Sequence, residues 1–402
     1  MDKLAFAKKA LEQGEGVFRL APAWVPRSFC RPGRRLKLHP ADYYSLGLER
    51  GGIDERWLAS TTNADNGPGT PDDEGLSYIV NDGGKLLLRD AVELLGETVV
   101  GADVWNKYGR WPMFSKFFDN AGPLPHHIHQ NDEYAAKVGR AGKPEMYFFP
   151  AQMNNHGGEF PFTFFGLNPG TAKERALDAL TSFAKGDNNI LALSRAYKLE
   201  IDTGWDVPPG LLHAPGSLCT YEPQFASDVY AMCQSVLHGG QCVPEALLWK
   251  DCPENERGNF EYLLGMIDWD LNTDPDFYMN RFMPPLPRKP IDEMTANGCV
   301  EEWVCYKCRV AGAKRLTVPP GTTARVTDAA AYGIICVAGR GKFGVWDLES
   351  PSMIRYGQLT NDEYFVTDGA AKSGVVIKNT SDCEDVVVLQ HFAENPDIIR
   401  LF

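Results

Sequence analysis

Histidine is scarce in this chain, with eight among 402 residues, and three of the eight fall in the single run His126-His127-Ile128-His129. Their placement constrains the fold more than any other feature. In a strand, alternation puts His127 and His129 on one face and His126 on the other. Two imidazoles on one face can ligate a single metal ion. Further on stands Val207-Pro208-Pro209-Gly210-Leu211-Leu212-His213. Its Pro and Gly make a tight turn and Leu-Leu starts an inward strand, which places His213 near the mouth of a barrel.

An HxH followed by PxGxxH is similar to the two-part signature of cupin barrels. The set then needs a carboxylate, and there are two candidates. Glu133 sits at HxHxxxE spacing. Glu145 sits in the strand-like segment Lys143-Pro144-Glu145-Met146-Tyr147-Phe148-Phe149. A ligand is better fixed on a strand than on a flexible segment, which favours Glu145. Three His and one Glu leave open positions for water or substrate oxygens.

The length predicts two or three domains. The fold expected is mainly β: two cupin (jelly-roll) barrels with a few helices. Residues 1–270 read as a metal-binding cupin domain with an N-terminal extension and helical insertions. Residues 271–298, rich in Pro, read as a linker wrapping over a surface. Residues 299–402 read as a degenerate C-terminal cupin, metal-free, with His391 but no HxH. Short strands are expected there at Trp303–Val310, Lys314–Val318, Thr323–Val326, Ala331–Val337, Lys342–Asp347, Asp362–Val366, Gly374–Lys378 and Asp385–His391. In the first part, residues 3–13 read as a helix, and Thr171–Lys185 as another, capped by Thr171 and ended by Gly186. Pro22 to Leu58 reads as loops and strands.

A formal net charge of −13 with no long basic run argues against nucleic acid and anionic membrane surfaces as partners. No run of about 18 apolar residues exists, and the N-terminus has no apolar core of a signal peptide, so a cytoplasmic location is expected. A small anionic ligand stays compatible, with Arg34, Arg35, Lys37, Lys107, Arg110, Lys116 and Lys143 as candidate cations. Ten Cys are irregularly spaced; Cys305-Tyr306-Lys307-Cys308 lacks a second ligand pair and reads as ordinary thiols rather than a zinc site. His39, His156 and His238 read as structural or surface residues, with His156 on a loop that could lie near the site.

Several ordered segments resemble the type I mannose-6-phosphate isomerase family of two-cupin zinc enzymes. Ile53-Asp54-Glu55-Arg56-Trp57-Leu58-Ala59-Ser60 is similar to its I-G-E-x-W-x-x-S, and Trp111 to Asp119 to its F-P-L-L-V-K-L-I-D. Pro123 to Ala135 lies over P-L-S-V-Q-V-H-P-D-D-E-Y-A, Gly142-Lys143-Pro144-Glu145 over G-K-x-E, and Val207 to Gly216 over V-P-A-G-T-V-H-A-I-G. The resemblance covers most of residues 50–230 and continues more weakly to the end. It implies that His127, His129, Glu145 and His213 hold one divalent ion, zinc first with manganese or iron as alternatives, and that His127 replaces the family's Gln. It also implies a small-molecule sugar or sugar-phosphate substrate. The family's phosphate-holding Ser and its Arg fall on Pro125 and Met232, so the expected substrate has diverged.

The activity implied is aldose–ketose isomerisation, in which a bound ion polarises the carbonyl and a general base moves a proton between neighbouring carbons. Glu222 and Lys143 are the candidates for proton handling, Asp228 for orienting them, and Lys116 is a weaker candidate. The alternatives are another metal cupin enzyme, such as a dioxygenase, and a non-catalytic sugar-binding protein.

Overall fold

The computed structural model describes residues 2–154 and 160–399; His156 lies outside them. The first helix forms at Lys3–Gln13, as its apolar spacing predicts, with the Asp2 carboxylate accepting from the Ala5 amide at 3.1 Å. The second expected helix is shorter. It runs Lys173–Thr181 and tightens to a 3₁₀ turn at Phe183–Lys185 before Gly186. Thr171 does not cap it, because its hydroxyl donates to the Asn168 carbonyl at 2.6 Å.

The strands of the described residues assemble into four antiparallel sheets. A five-stranded sheet has the order Ser194–Lys198, Phe162–Leu167, His213–Ala214, His127–Ile128, Ala231–Met232. A seven-stranded sheet has the order Phe282–Met283, Gly204–Val207, Glu145–Phe148, Thr220–Phe225, Met113–Phe118, Gly52–Leu58, Ala23–Arg27. The two face each other across an aromatic core in which Phe165 packs 5.2 Å from Trp205 and 6.0 Å from Tyr147, ring centre to ring centre. This sandwich is the first barrel.

The second barrel packs a nine-stranded sheet on a four-stranded one, with Leu316, Ile334, Tyr364 and Val388 of the first meeting Val326, Phe343 and Ile377 of the second. The expected strands are present, with two differences, the first being that the strand read at Trp303–Val310 runs Val300–Cys305. Lys342–Asp347 is a hairpin, Arg340–Phe343 against Trp346–Glu349, because Gly344 at φ +55 turns the chain. Sheet membership also crosses the expected division of the chain. Val17–Ala21 and the hairpin Tyr78–Asn81/Gly84–Leu87 extend the nine-stranded sheet, with Val17 opposite Val366. The Pro-rich stretch 271–298 carries short helices and ties the barrels together, since Phe282–Met283 edges the seven-stranded sheet and Leu286–Pro287 edges the nine-stranded one. Pro287 is tolerated because an edge strand need not donate on both sides.

The seven- and nine-stranded sheets lie back to back. Met113, Phe117, Met146, Phe148 and Tyr221 of one pack with Val304, Ile335, Phe365 and Leu389 of the other. The seven-stranded sheet is therefore buried on both faces, which explains near-continuous apolar strands such as Met113–Phe118. By the two-residue period of a strand, each residue aimed at the second barrel alternates with one aimed into the first. Lys116 alternates with Phe117, Glu145 with Met146, and Glu222 with Tyr221. A Tyr221–His391 contact, phenol oxygen to Nδ1 at 2.9 Å, crosses the junction.

Candidate metal centre

His127 and His213 stand directly opposite each other on neighbouring strands, with ring centres 4.1 Å apart. His129 follows on the same face, and one ring nitrogen from each of the three lies within 4.8 Å of the others. All three side chains are buried. Their tautomers are fixed by the backbone. Nδ1 of His127 contacts the Pro125 carbonyl at 2.7 Å, Nδ1 of His129 the Val229 carbonyl at 2.7 Å, and Nδ1 of His213 the Leu211 carbonyl at 2.9 Å. A carbonyl oxygen can only accept, so each Nδ1 carries the proton and each Nε2 presents a lone pair. His126 points the other way, as alternation requires, and burial, then the nearby His213, lowers its pKa to about 3.

The facing sheet supplies the carboxylate. Glu145 is fully buried, with Oε2 at 3.2 Å from Nε2 of His129 and Oε1 at 3.2 Å from Nε2 of His213. Nε2 of His213 has no hydrogen-bond partner. Lone pairs of a neutral imidazole and a carboxylate at that separation repel unless a cation lies between them. Ligands held about 2.0–2.1 Å from one tetrahedral ion are spaced by about 3.3 Å, so the spacing suits such an ion. The residues present thus fit a divalent metal. Tyr147, two residues along the same strand, donates its hydroxyl to Glu145 Oε1 at 2.7 Å. Glu133, the other carboxylate considered, lies on the short helix Asp132–Ala136 with its side chain 75% exposed, paired to Lys137.

The three residues expected to handle protons or orient them are all at this cavity. The Lys143 ammonium lies 2.8 Å from Glu145, 3.1 Å from Nε2 of His129 and 3.5 Å from Glu222. Burial would raise the Glu145 pKa, but the Lys143 ammonium outweighs it and holds the group well below its ordinary value. For Glu222 the balance is reversed. Burial and the Glu145 charge push its carboxyl up to about 8, against the pull of Lys116 and Lys143. Asp228 is committed to Arg27 at 3.2 Å and accepts from the Asp65 amide at 3.1 Å.

Of the candidate cations, Lys116 and Lys143 line the cavity. Arg34 and Arg110 are exposed. Arg35 pairs with Asp119, Lys37 with Ser350, and Lys107 with Glu394. His39 caps a 3₁₀ turn through the Ala41 amide, and His238 lies in an exposed turn. Sequence reasoning missed Arg27 and the role of Glu55, which share a 3.1 Å ion pair at the cavity wall. Pro26-Arg27 lies in a Pro-rich stretch read as loops and strands, and nothing local marks its partner Asp228. Phe29, Leu124, Pro215, Tyr230 and Met232 complete the lining of a cleft that is partly open to solvent.

The second barrel has a different interior. There Lys314, fully buried, lies 2.7 Å from Asp328 and 2.6 Å from Glu301. The Cys305/Cys308 pair carries free thiols, and among the described residues no helix is long and apolar enough to cross a membrane.

No family model matches the chain, and no curated protein matches it in sequence. Solved structures do match in fold. The mannose 6-phosphate isomerase from Bacillus subtilis superposes with a TM-score of 0.62 at 14% identity, covering 94% of this chain and 99% of that one. A zinc-bound mannose 6-phosphate isomerase gives 0.62 at 12% identity, over 94% and 100% of the two chains. A variant of the phosphomannose isomerase from Salmonella typhimurium gives 0.61 at 12%, again over 94% and 100%. Across nearly its whole length, then, this chain has the mainly β, cupin-like fold of the phosphomannose isomerases.

Proposed function

We propose that the protein is a divalent-metal-dependent aldose–ketose isomerase, with His127, His129, Glu145 and His213 holding the ion, zinc by preference. The carrying observation is the set of imidazoles whose Nδ1 protons are tied to backbone carbonyls while their Nε2 lone pairs face Glu145. The fold shared with sugar-phosphate isomerases, one of them zinc-bound, supports the reading.

When bound, the ion supplies a Lewis acid for a sugar carbonyl and its neighbouring hydroxyl. The chain's own groups do the rest. Glu222, whose Oε1 has ion-pair contacts but no hydrogen bond, is placed to take the proton from one carbon and return it to the next. Lys143 lies between Glu222 and Glu145 and donates to oxygen that becomes negative. Asp228 holds Arg27 in place and acts as a positioning residue.

The test is metal analysis of the purified protein, followed by NMR of metal-loaded protein with free and phosphorylated hexoses and pentoses in D₂O. Interconversion with deuterium entering at the carbon next to the carbonyl is expected. A metal-loaded sample that converts no aldose–ketose pair refutes the reading. The set of three imidazoles and one carboxylate also suits a redox metal, which gives a second reading, an enzyme acting on a ligand such as oxygen. Bound iron with oxygen uptake would decide for it.

A further inference from the structure

The polar wall of the cavity is one row of charges of alternating sign. Asp228 contacts Arg27 at 3.2 Å, and Arg27 contacts Glu55 at 3.1 Å. Glu55 lies 3.6 Å from Lys116, which lies 3.2 Å from Glu222. Glu222 lies 3.5 Å from Lys143, which reaches Glu145 at 2.8 Å. The order follows from the sheet. Arg27, Glu55, Lys116, Glu222 and Glu145 come from five consecutive neighbouring strands, one inward residue each, and Lys116 is directly opposite Glu222 in register. All are buried.

Two physical consequences follow for a ligand. Each of the three cations, Arg27, Lys116 and Lys143, is already held by carboxylates, of which the row contains four: Asp228, Glu55, Glu222 and Glu145. A phosphate dianion only accepts hydrogen bonds. Against this wall it meets more carboxylates than cations and has to pull a buried cation from its partner. A row of hydroxyls has the opposite fit. Each hydroxyl both donates and accepts, so successive hydroxyls can satisfy alternating carboxylates and ammonium or guanidinium groups without disturbing any pair. The rest of the lining adds no charge, since Phe29, Leu124, Pro215 and Met232 are apolar. A divalent ion would add positive charge at the Glu145 end alone, leaving the Asp228 end balanced.

From this row we infer that the substrate is an uncharged polyhydroxylated compound, a free sugar rather than a sugar phosphate, laid along the wall from Asp228 to Glu145. The inference rests on the isomerase reading for the reaction, but not for the binding preference. Calorimetric titration of the metal-loaded protein with the common free hexoses and pentoses, their terminal phosphates and inorganic phosphate tests it. At least one free sugar is expected to bind at least tenfold tighter than its phosphate, with inorganic phosphate neither binding nor competing. Arg27→Met is expected to weaken that sugar at least tenfold with metal content unchanged. Met232→Arg, which adds an unpartnered cation to the apolar side, is expected to move the sugar-to-phosphate ratio at least tenfold towards phosphate. A phosphate that binds tighter than its parent sugar overturns the inference, and so does a panel in which no free sugar binds. Turnover of a preferred phosphate leaves the isomerase standing while this inference falls. Tight binding of a free sugar without turnover does the reverse.

Discussion

Removing one hydroxyl from Tyr147 should weaken metal binding without disturbing the barrel. The phenol donates to Glu145 Oε1 at 2.7 Å, and its ring packs 5.7 Å from Phe118 and 6.0 Å from Phe165. Phenylalanine keeps the ring contacts and loses the bond that aims the carboxylate. Partners of this kind, one step removed from an ion, contribute about 10–100-fold in metal affinity. At a free metal concentration about 100-fold above Kd, binding stabilises the wild-type protein by about 2.7 kcal/mol; a tenfold loss leaves about 1.4 kcal/mol and a hundredfold loss about 0.4 kcal/mol. Tyr147→Phe should therefore lose about 1.3–2.3 kcal/mol of metal-dependent stabilisation at that concentration. Competition with a coloured chelator gives the affinity, and denaturant titration with and without metal gives the stability. Glu133→Gln is the control, since its side chain is 75% exposed and away from the site. Affinity for Tyr147→Phe within twofold of wild type, or a loss for Glu133→Gln of the same size, would refute Glu145 as the carboxylate ligand aimed by Tyr147.

Other perturbations have equally definite outcomes. His213→Ala removes a buried lone pair aimed at Glu145 and should reduce bound metal, measured by elemental analysis after dialysis, below a tenth of wild type. His391 is fully buried, and burial lowers its pKa from 6.5 to about 3. The folded state therefore keeps it neutral while the unfolded chain protonates, so its contribution is full above pH 6.5 and is lost as pH falls towards 3. Between pH 6.5 and 5 the loss is about 2 kcal/mol at about 1.4 kcal/mol per pH unit, and denaturant titration of His391→Asn should show a pH slope shallower by that amount. Lys314→Met should cost about 3–5 kcal/mol by leaving buried Asp328 with only the more distant cation Arg288 at 3.9 Å, and pairing it with Asp328→Leu should recover most of that loss in thermal unfolding. Gly333→Ala should destabilise by about 1–3 kcal/mol, because a Cβ there would lie 2.1 Å from His391 Nε2 and 2.7 Å from the Ala59 side chain.

The histidine half of the site is legible in the sequence because it depends on local geometry. The alternation of His127 and His129, and the turn that delivers His213, are both fixed within a few residues. Glu145 was narrowed by the same reasoning, since an aromatic strand segment holds a side chain more firmly than the exposed helix that carries Glu133. The charged wall was not legible. Arg27, Glu55 and Lys116 look like scattered charges until the strands are placed side by side, and Arg27 meets Asp228 from 201 residues away. The same limit explains Val17–Ala21, whose partner in the second barrel is Glu363–Val366. Pairing between strands so far apart is set by which apolar faces need cover, not by any pattern within either strand.

The placement of the site follows from the double burial of the seven-stranded sheet. A sheet solvated on one face could leave its charged residues in water. Here the outer face is sealed by the second barrel through Phe117, Phe148 and Tyr221, so every inward charge of Lys116, Glu145 and Glu222 has to be neutralised inside the first barrel. Alternating sign does this for the row, with Lys143 standing between Glu222 and Glu145, and it leaves its last carboxylate, Glu145, facing the histidine lone pairs of the opposite sheet. The histidine cluster and the polar wall are thus two ends of one solution to a single burial problem. Changes on the histidine sheet should therefore leave the wall's ion pairs intact.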